Sequence, residues 1–555
     1  MSEEASFNAA SRLREHAGRR PGDPALRVPS AKYTTARPAW ETASFAELER
    51  RSDGYARGLS ARGVRAGDRA LMLFRPSVDS CAVTFALYKL GAVPVLIDPG
   101  MGLRAMRRCI RQAGARVVFG VPLVHLLRLV YREDFAAAEI PVVVGPRLFP
   151  GVPVLSDLGR PGGEPFPMAS LRGSDPVGLL FTSGSTGPAK GVVATQAMFQ
   201  AQLDALGRML DLRPGLVDVQ AFAPFAILDI CSGVCAVLPR IDLARPAAAS
   251  PEEIVAAIVD NAPTLAFGSP VIWQNVSRHC LARRIRLPSL RTVLTVGAPI
   301  PPSLHRRFRE ILSADAEVFT PYGATEALPV ANIGSAEVLE QTWSLTRQGA
   351  GTCVGRPVAG IDLRIISITD EPIDAWRDDL AVPPGELGEI VVGGGQVSAA
   401  YHQADAANRL AKIRDGDRIL HRMGDLGYLD GQGRLWFCGR KAERLETEGG
   451  VIPPVRVEGI FNEHPDVLRT ALVGLGPRGR EVPVLCVEME PGRRFTPETV
   501  AGLRHLAEGS CYSGLVRHFL PHPGFPTDAR HNSKIRREEL RGWAAARMAR
   551  ASRPS

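Results

Sequence analysis

The sequence predicts an α/β chain: a large N-terminal body of parallel-type sheets with helices plus a small β-rich subdomain, and a smaller mobile C-terminal α+β domain. Three observations carry this reading. Apolar strand-like runs alternate with helix-like segments up to about residue 300, the pattern of parallel sheets covered by helices. After about residue 350 the texture changes to short strands separated by Gly, Asp and Pro turns, and beyond Arg440 a second, shorter alternation begins. At 555 residues the chain also exceeds what one hydrophobic core usually supports. The expected division is 1–438 for the N-terminal body, 439–442 for a hinge and 443–555 for the C-terminal unit.

Taken in order, Ser44 and Glu47 form a capping pair opening an amphipathic helix over 44–63, since the serine oxygen satisfies an N–H of the first turn. A strand at 70–74 follows Gly67-Asp68; a helix then leads to the strand 93–97 and the turn Asp98-Pro99-Gly100. Further strands are expected at 116–120, 141–144, 177–181, 264–267 and 292–296. Ligands of such sheets bind where the strands end. The β-rich part supplies 363–366, 388–392, 418–421, 427–429 and 435–439, and the C-terminal alternation runs through 457–462, 470–473 and 484–488. Gly474-x-Gly476-x-x-Gly479 has the spacing of a dinucleotide loop, but Pro477 and Pro483 exclude the helix it needs, so the segment reads as a hairpin loop.

Composition narrows the function. The first twenty residues carry Glu3, Glu4, Glu15 and several arginines without an apolar core, which excludes a secretory signal. The most apolar stretch, 81–97, is broken by Lys89, Gly91 and Pro94 and reads as helix plus buried strand, so no transmembrane segment is expected. Nine scattered cysteines suit a reduced, cytoplasmic protein. Cys231 and Cys235, one helical turn apart in an apolar segment, suit core packing, while Pro521 and Pro523 break the helix that would pair His518 with His522. The net charge of +9 is dispersed, without a recognition motif or basic residues interleaved with aromatics, so no nucleic acid partner is expected. A basic C-terminal helix over 537–550 leaves room for contact with an acidic partner or a membrane surface.

The chemistry concentrates after the strand at 177–181. Thr182-Ser183-Gly184-Ser185-Thr186-Gly187-Pro188-Ala189-Lys190-Gly191 combines hydroxyls, glycines and a lysine. Small residues let backbone N–H groups approach an anion, hydroxyls donate or reach a metal, and the lysine adds a point charge. The order differs from the Walker loop, in which Gly-Lys-Ser/Thr opens a helix. Lysine is otherwise scarce: Lys32, Lys89, Lys190, Lys412, Lys441 and Lys534 are the only six in an arginine-rich chain. A lysine kept against that background marks a place where a compact ammonium serves and a guanidinium does not.

Four more segments follow in fixed order: Val296-Gly297-Ala298-Pro299; Tyr322-Gly323-Ala324-Thr325-Glu326; Gly424-Asp425-Leu426-Gly427 with Gly439-Arg440; and Asn532-Ser533-Lys534-Ile535. Together with the loop they resemble the adenylate-forming superfamily of acyl-CoA synthetases, peptide-synthetase adenylation domains and luciferases. The resemblance spans almost the whole chain. It implies ATP and Mg²⁺ as cofactors: Thr182, Ser183, Gly184, Ser185, Thr186, Gly187 and Lys190 around the leaving phosphates, and Glu326 with the Thr182 hydroxyl on the metal. It further implies Tyr322, beside Gly297, Ala298 and Pro299, on adenine. Gly323 and Thr325 lie in the nucleotide-binding segment, Asp425 on the ribose hydroxyls and Arg440 on the ribose-phosphate region. Lys534, on the mobile unit, would bridge carboxylate and α-phosphate. Lys534, Thr182, Lys190 and Glu326 are thus the candidate catalytic residues.

Longer phrases, such as Leu96-Ile97-Asp98-Pro99-Gly100, His421-Arg422-Met423-Gly424-Asp425 and Arg530-His531-Asn532-Ser533-Lys534, resemble the branch that makes β-lactones in bacterial long-chain olefin biosynthesis. That resemblance implies a 2-alkyl-3-hydroxy fatty acid as substrate, with other olefin-pathway enzymes as expected associates. An acyl-CoA ligase or acyl-AMP ligase is the alternative. Met423, Ala226, Ala442 and Glu446 depart from the pattern of ordinary CoA ligases around the hinge and the second-substrate region. The ATP motifs are untouched. His421 and Glu446 are candidates, by neighbourhood alone, for the base that ring closure requires.

Overall fold

The structure is a computed structural model describing residues 7–159, 162–182, 189–242, 245, 248–527 and 535–551; the side chains of Thr182 and Ala551 are outside that description. Two largely parallel sheets form the N-terminal body. In the first, Ile140–Val143, Val117–Gly120, Arg69–Leu73, Val93–Ile97 and Pro176–Thr182 lie side by side in parallel, and Lys190–Thr195 closes the edge antiparallel. In the second, the order is Glu317–Phe319, Thr292–Thr295, Leu265–Gly268, Val217–Gln220, Cys235–Val237 and Pro24–Pro29, all parallel, with Trp40–Ser44 antiparallel at the end.

The expected helix is Phe45–Ser60, and Ser44 caps it by accepting from the Glu47 N–H at 3.2 Å. It packs against Val78–Leu90, which ends at Gly91 in the left-handed conformation (φ +69°). Val78–Leu90 is apolar over most of its surface, and Phe45–Ser60 along one face, because one core takes residues from both sheets, Ala70 and Phe119 on one side and Leu26 and Ala236 on the other, with Phe45, Phe85 and Leu48 between. Burial of such side chains contributes about 1.5–3 kcal/mol each. Lys89 lies fully buried among them, its ammonium 2.6 Å from Asp53 and 2.8 Å from Glu49. Its role is structural.

The β-rich part is an antiparallel sheet running Tyr322–Ala324, Ala327–Asn332, Thr352–Pro357, Leu435–Arg440, Arg418–Leu429, Gly388–Gly394 and Ile361–Ile366, with Lys412–Asp415 beside Arg418–Leu429. The runs 418–421 and 427–429, expected as two strands, are one strand. Gly424 at φ +66° and a register shift between Leu426 and Gly427 break its alternation without breaking its pairing. C-terminal to it, Pro454–Phe461 is a helix, and Val467–Leu475 pairs antiparallel with Val482–Met489, to which His518–Pro521 adds in parallel. The 474–479 glycine motif therefore lies in a hairpin, as its prolines require. Arg537–Ala551 forms the basic C-terminal helix, with Leu540 and Ala544 buried against the strands.

Cys231 and Cys235 are both buried, as expected for core residues, but they do not share a helix. The helix Ala226–Cys231 ends there, and Gly233 at φ +75° turns the chain into Cys235–Val237. No described helix is long and apolar enough to cross a membrane.

Candidate active site

The strand Pro176–Thr182 and its antiparallel neighbour Lys190–Thr195 are in register so that Thr182 pairs with Lys190. The phosphate-loop residues Ser183, Gly184, Ser185, Thr186 and Gly187 lie outside the described residues, as do the Thr182 side chain and Lys534. Lys190 is described, and it stands at the base of that connection.

Gly297 follows the end of Thr292–Thr295 with φ +101°, a conformation that favours glycine. Ala298 is half-buried and Pro299 exposed beside it. Tyr322–Ala324 and Ala327–Asn332 form a hairpin in which Ala324 pairs with Ala327, so Thr325 and Glu326 occupy its turn. A Cβ on Gly323 would stand 2.7 Å from the Ala327 carbonyl oxygen. Only glycine fits there.

Across the sheet, Asp425 and Arg440 are register partners on adjacent strands. The Arg440 Nη1 donates to Asp425 Oδ1 at 2.8 Å, and the Tyr322 hydroxyl donates to Asp425 Oδ2 at 2.5 Å. Asp425 is 2% exposed, whereas the Arg440 side chain is 29% exposed. The Asp425 carboxylate pushes the Arg440 pKa up, and burial, with Asp425 second, pushes the Tyr322 phenol well up, so both remain donors. Sequence alone missed that Tyr322, expected on adenine, also fixes the carboxylate expected on the ribose.

A second cluster surrounds Glu326. The Tyr401 hydroxyl donates to Glu326 Oε1 at 2.7 Å, and the Ser398 N–H donates to the Glu326 carbonyl at 2.7 Å. The ammonium of Lys190 lies 5.0 Å from the centre of the Tyr401 ring and that of Lys412 5.4 Å. Lys412 is buried and donates to the carbonyl and hydroxyl of Ser398 at 2.5 and 2.9 Å. Burial lowers its pKa to about 7 against the opposing pull of Glu326. Tyr401 was not legible as a site residue; Lys412 carried one signal, its place among six lysines.

Of the two candidates for a base, His421 packs edge-on to Tyr401 at 6.3 Å, and burial, reinforced by Lys412, holds its pKa well below the ordinary histidine value. Its Nδ1 lies 3.2 Å from the Ala411 carbonyl oxygen. A carbonyl only accepts, so Nδ1 carries the proton. Glu446 is instead held at 2.7 and 2.8 Å by Arg478 and at 2.8 Å by Arg444, guanidiniums that also hold Asp370. The hydrogen bonds from Arg478 lower its pKa. Glu446 belongs to an ionic clasp, which is a poor proton acceptor.

The described residues contain no group of three or more His, Cys, Asp or Glu that could cage a metal. One hard carboxylate suits Mg²⁺, which keeps most of its water and substrate-phosphate ligands and takes one or two from protein. Glu326 fits that requirement.

The AMP-binding enzyme family signature matches residues 13–402. The chain is 44% identical to the olefin beta-lactone synthetase of Stenotrophomonas maltophilia over 98% of both chains. It is 42% identical to the enzyme of that name from Xanthomonas campestris pv. campestris over 97% of both. Its fold resembles O-succinylbenzoate coenzyme A synthetase from Bacillus subtilis, solved with ATP and magnesium ion, at a TM-score of 0.74 and 20% identity, over 95% of this chain and 98% of that one.

Proposed function

The chain belongs to the AMP-binding enzyme family, and from this we propose that it is an ATP-dependent β-lactone synthetase. It activates a 2-alkyl-3-hydroxy fatty acid as an acyl-adenylate and closes the ring within the same site, releasing pyrophosphate and AMP. The observation that carries the substrate assignment is the 44% identity, end to end, with an olefin beta-lactone synthetase.

The geometry supports the first half-reaction. Attack of a carboxylate on the α-phosphorus gathers charge on phosphate oxygens. In this reading Asp425, braced by Tyr322 and Arg440, accepts from the ribose. Adenine lies against Tyr322 beside Gly297, Ala298 and Pro299, and the phosphates extend toward Lys190 and the loop 183–187. Mg²⁺, held by Glu326 and the Thr182 hydroxyl, supplies charge neutralisation when bound. Lys534 joins the reacting carboxylate to the α-phosphate. In the second half-reaction the 3-hydroxyl oxygen forms a bond to the acyl carbon as its proton passes to a base, the acyl–phosphate bond breaks, and AMP carries away its electron pair. The tethered hydroxyl brings a large effective molarity.

Glu326→Gln is expected to raise the Mg²⁺ concentration needed for half-maximal pyrophosphate release about tenfold or more with little change in melting temperature, because it removes an anionic ligand and almost no volume. A Mg²⁺ titration checks this. An unchanged profile places the ligand elsewhere.

We further propose the division 1–438, 439–442 and 443–555, with the short segment acting as a pivot. Gly439 and Arg440 end a strand of the β-rich sheet, and the Lys441 ammonium is tied to Glu389 at 3.0 Å and to the Thr369 carbonyl at 2.8 Å. Limited proteolysis is expected to cut at this joint, with ATP changing the rate. Cleavage deep within either body, with the joint resistant in both states, contradicts the division. A cytoplasmic site of action, with contact to a membrane surface or other olefin-pathway enzymes, completes the proposal. The exposed Leu123, Leu126 and Leu129 on one helix, and the basic helix Arg537–Ala551, support such contacts.

A further inference from the structure

Tyr401 lies between groups that the reaction must hold apart and in register. Its hydroxyl donates to Glu326 at 2.7 Å, while the Lys190 ammonium sits 5.0 Å from its ring centre. Glu326 is on a hairpin turn of the antiparallel sheet, and Lys190 opens the edge strand of a parallel sheet. These are separate sheets. The segment 397–402 ties the two sheets by backbone, Val397 bridging Ala327 and Tyr401 bridging Val192; the tyrosine side chain then reaches the carboxylate and the ammonium themselves.

Its own position is fixed from both directions. Tyr401 bridges Val192 of the parallel-sheet edge, the His402 N–H donates to the Gly191 carbonyl at 2.8 Å, and the Tyr401 N–H donates to the Asn408 side chain at 2.7 Å. Ser398, three residues earlier, holds the Glu326 backbone through its own N–H and is itself held by Lys412. Lys412 then faces the same ring at 5.4 Å. One of the four lysines outside the phosphate loop and the C-terminal motif is thus placed behind the tyrosine.

We propose that Tyr401 is a positioning residue: its hydroxyl orients the Glu326 carboxylate toward the metal, and its ring seats the Lys190 ammonium toward the phosphates. The inference rests on Glu326 being the metal carboxylate. The phenol is a durable donor, since burial and then Glu326 push its pKa up. A ligating carboxylate loses one orientation when its outer hydrogen bond is removed, and such partners are worth about 10–100-fold in metal affinity. An ammonium near an aromatic face is stabilised by about 0.5–1 kcal/mol where water still reaches it, a severalfold effect on ligand affinity.

The two parts of the side chain therefore separate by substitution. Tyr401→Phe keeps the ring and removes the hydroxyl; Tyr401→Leu removes both. Mn²⁺ binding followed by electron paramagnetic resonance, with a non-hydrolysable ATP analogue present, is expected to weaken about tenfold in Tyr401→Phe. Calorimetric affinity for the analogue in EDTA should stay at the wild-type value in that variant and fall severalfold in Tyr401→Leu. In a Glu326→Gln background, Tyr401→Phe should have no further effect on Mn²⁺, because the hydroxyl acts through that carboxylate.

Wild-type Mn²⁺ affinity in Tyr401→Phe overturns the proposal, as does an equal loss of analogue affinity in EDTA for both variants, which is what a structural role would give. Unchanged Mn²⁺ affinity in Glu326→Gln instead sinks the metal assignment beneath it. A measurement on the unsubstituted chain is independent of whether the variants fold. With tyrosine labelled by ¹³C at the ring carbon bearing oxygen, adding Mg²⁺ to wild-type protein already holding the analogue should move one resonance. No moving resonance overturns the proposal.

Discussion

Lys534→Ala is expected to slow acyl-adenylate formation by about 10²–10³-fold while leaving ATP affinity nearly unchanged, because a lysine bridging carboxylate and α-phosphate acts on charge that exists fully only in the transition state. Lys534 lies outside the described residues, but the chain on either side is anchored: Thr527 bridges Ile535, and the Arg536 N–H donates to the Pro526 carbonyl at 2.8 Å. The following helix is held by Arg537, 2.6 Å from Glu458 and 2.8 Å from Glu443. Residues 526–527 and 535–537 are thus tied to one another and to the C-terminal unit. Single-turnover pyrophosphate release, beside calorimetric ATP affinity, reads the effect. A mutant adenylating at the wild-type rate removes Lys534 from the chemistry, whereas a fall confined to ATP affinity makes it a ground-state ligand.

Local signals made much of this protein legible. The strand Val93–Ile97 coincides with the run read from sequence, because an apolar β-branched segment is bounded by Gly91-Ala92 on one side and Asp98-Pro99 on the other. Ser44 was readable as a cap because its hydroxyl acts three residues away. The strand Arg418–Leu429 was harder, since alternation fails at a glycine even when the ladder continues. Cys231 and Cys235 have helical spacing but no helix between them, because Gly233 supplies a turn that spacing does not reveal.

The site divides in the same way. Tyr322, Asp425 and Arg440 sit in recognisable segments, and the structure joins all three by hydrogen bonds. Tyr401 and Lys412 belong to no motif that announced them. Their part in the site arises from tertiary packing: Tyr401 meets Glu326 across 75 residues of sequence, and Lys412 becomes distinctive only once buried against Ser398. Glu446 shows the converse. Its departure from the usual residue suggested chemistry, but Arg444, Arg478 and Asp370 account for it as part of an ionic clasp between the β-rich sheet and the strands beyond it.

Given ATP, Mg²⁺ and a 2-alkyl-3-hydroxy acid, the protein is expected to yield β-lactone, AMP and pyrophosphate without coenzyme A, and added coenzyme A should not accelerate turnover. The tethered 3-hydroxyl competes for the adenylate at an effective molarity that reaches about 10⁵ M or more in well-oriented intramolecular reactions, against a thiol present at millimolar concentration. Ring strain opposes that advantage, so closure also needs proton removal and an oriented acyl carbonyl. His421 directs its Nδ1 proton at Ala411, leaving Nε2 as its acceptor nitrogen, but burial with Lys412 and Lys190 disfavours its protonated form, which makes it, like Glu446, a weak proton acceptor. It packs against Tyr401, whose ring also faces the Lys190 and Lys412 ammoniums. His421→Gln is therefore expected to slow lactone release more than pyrophosphate release if it takes the hydroxyl proton, and both equally if it only supports Tyr401. NMR of the products decides the larger question: lactone ring protons with AMP in equal amount are the expected result, and acyl-CoA as the main product, with no lactone signals, would falsify the assignment in favour of a CoA ligase.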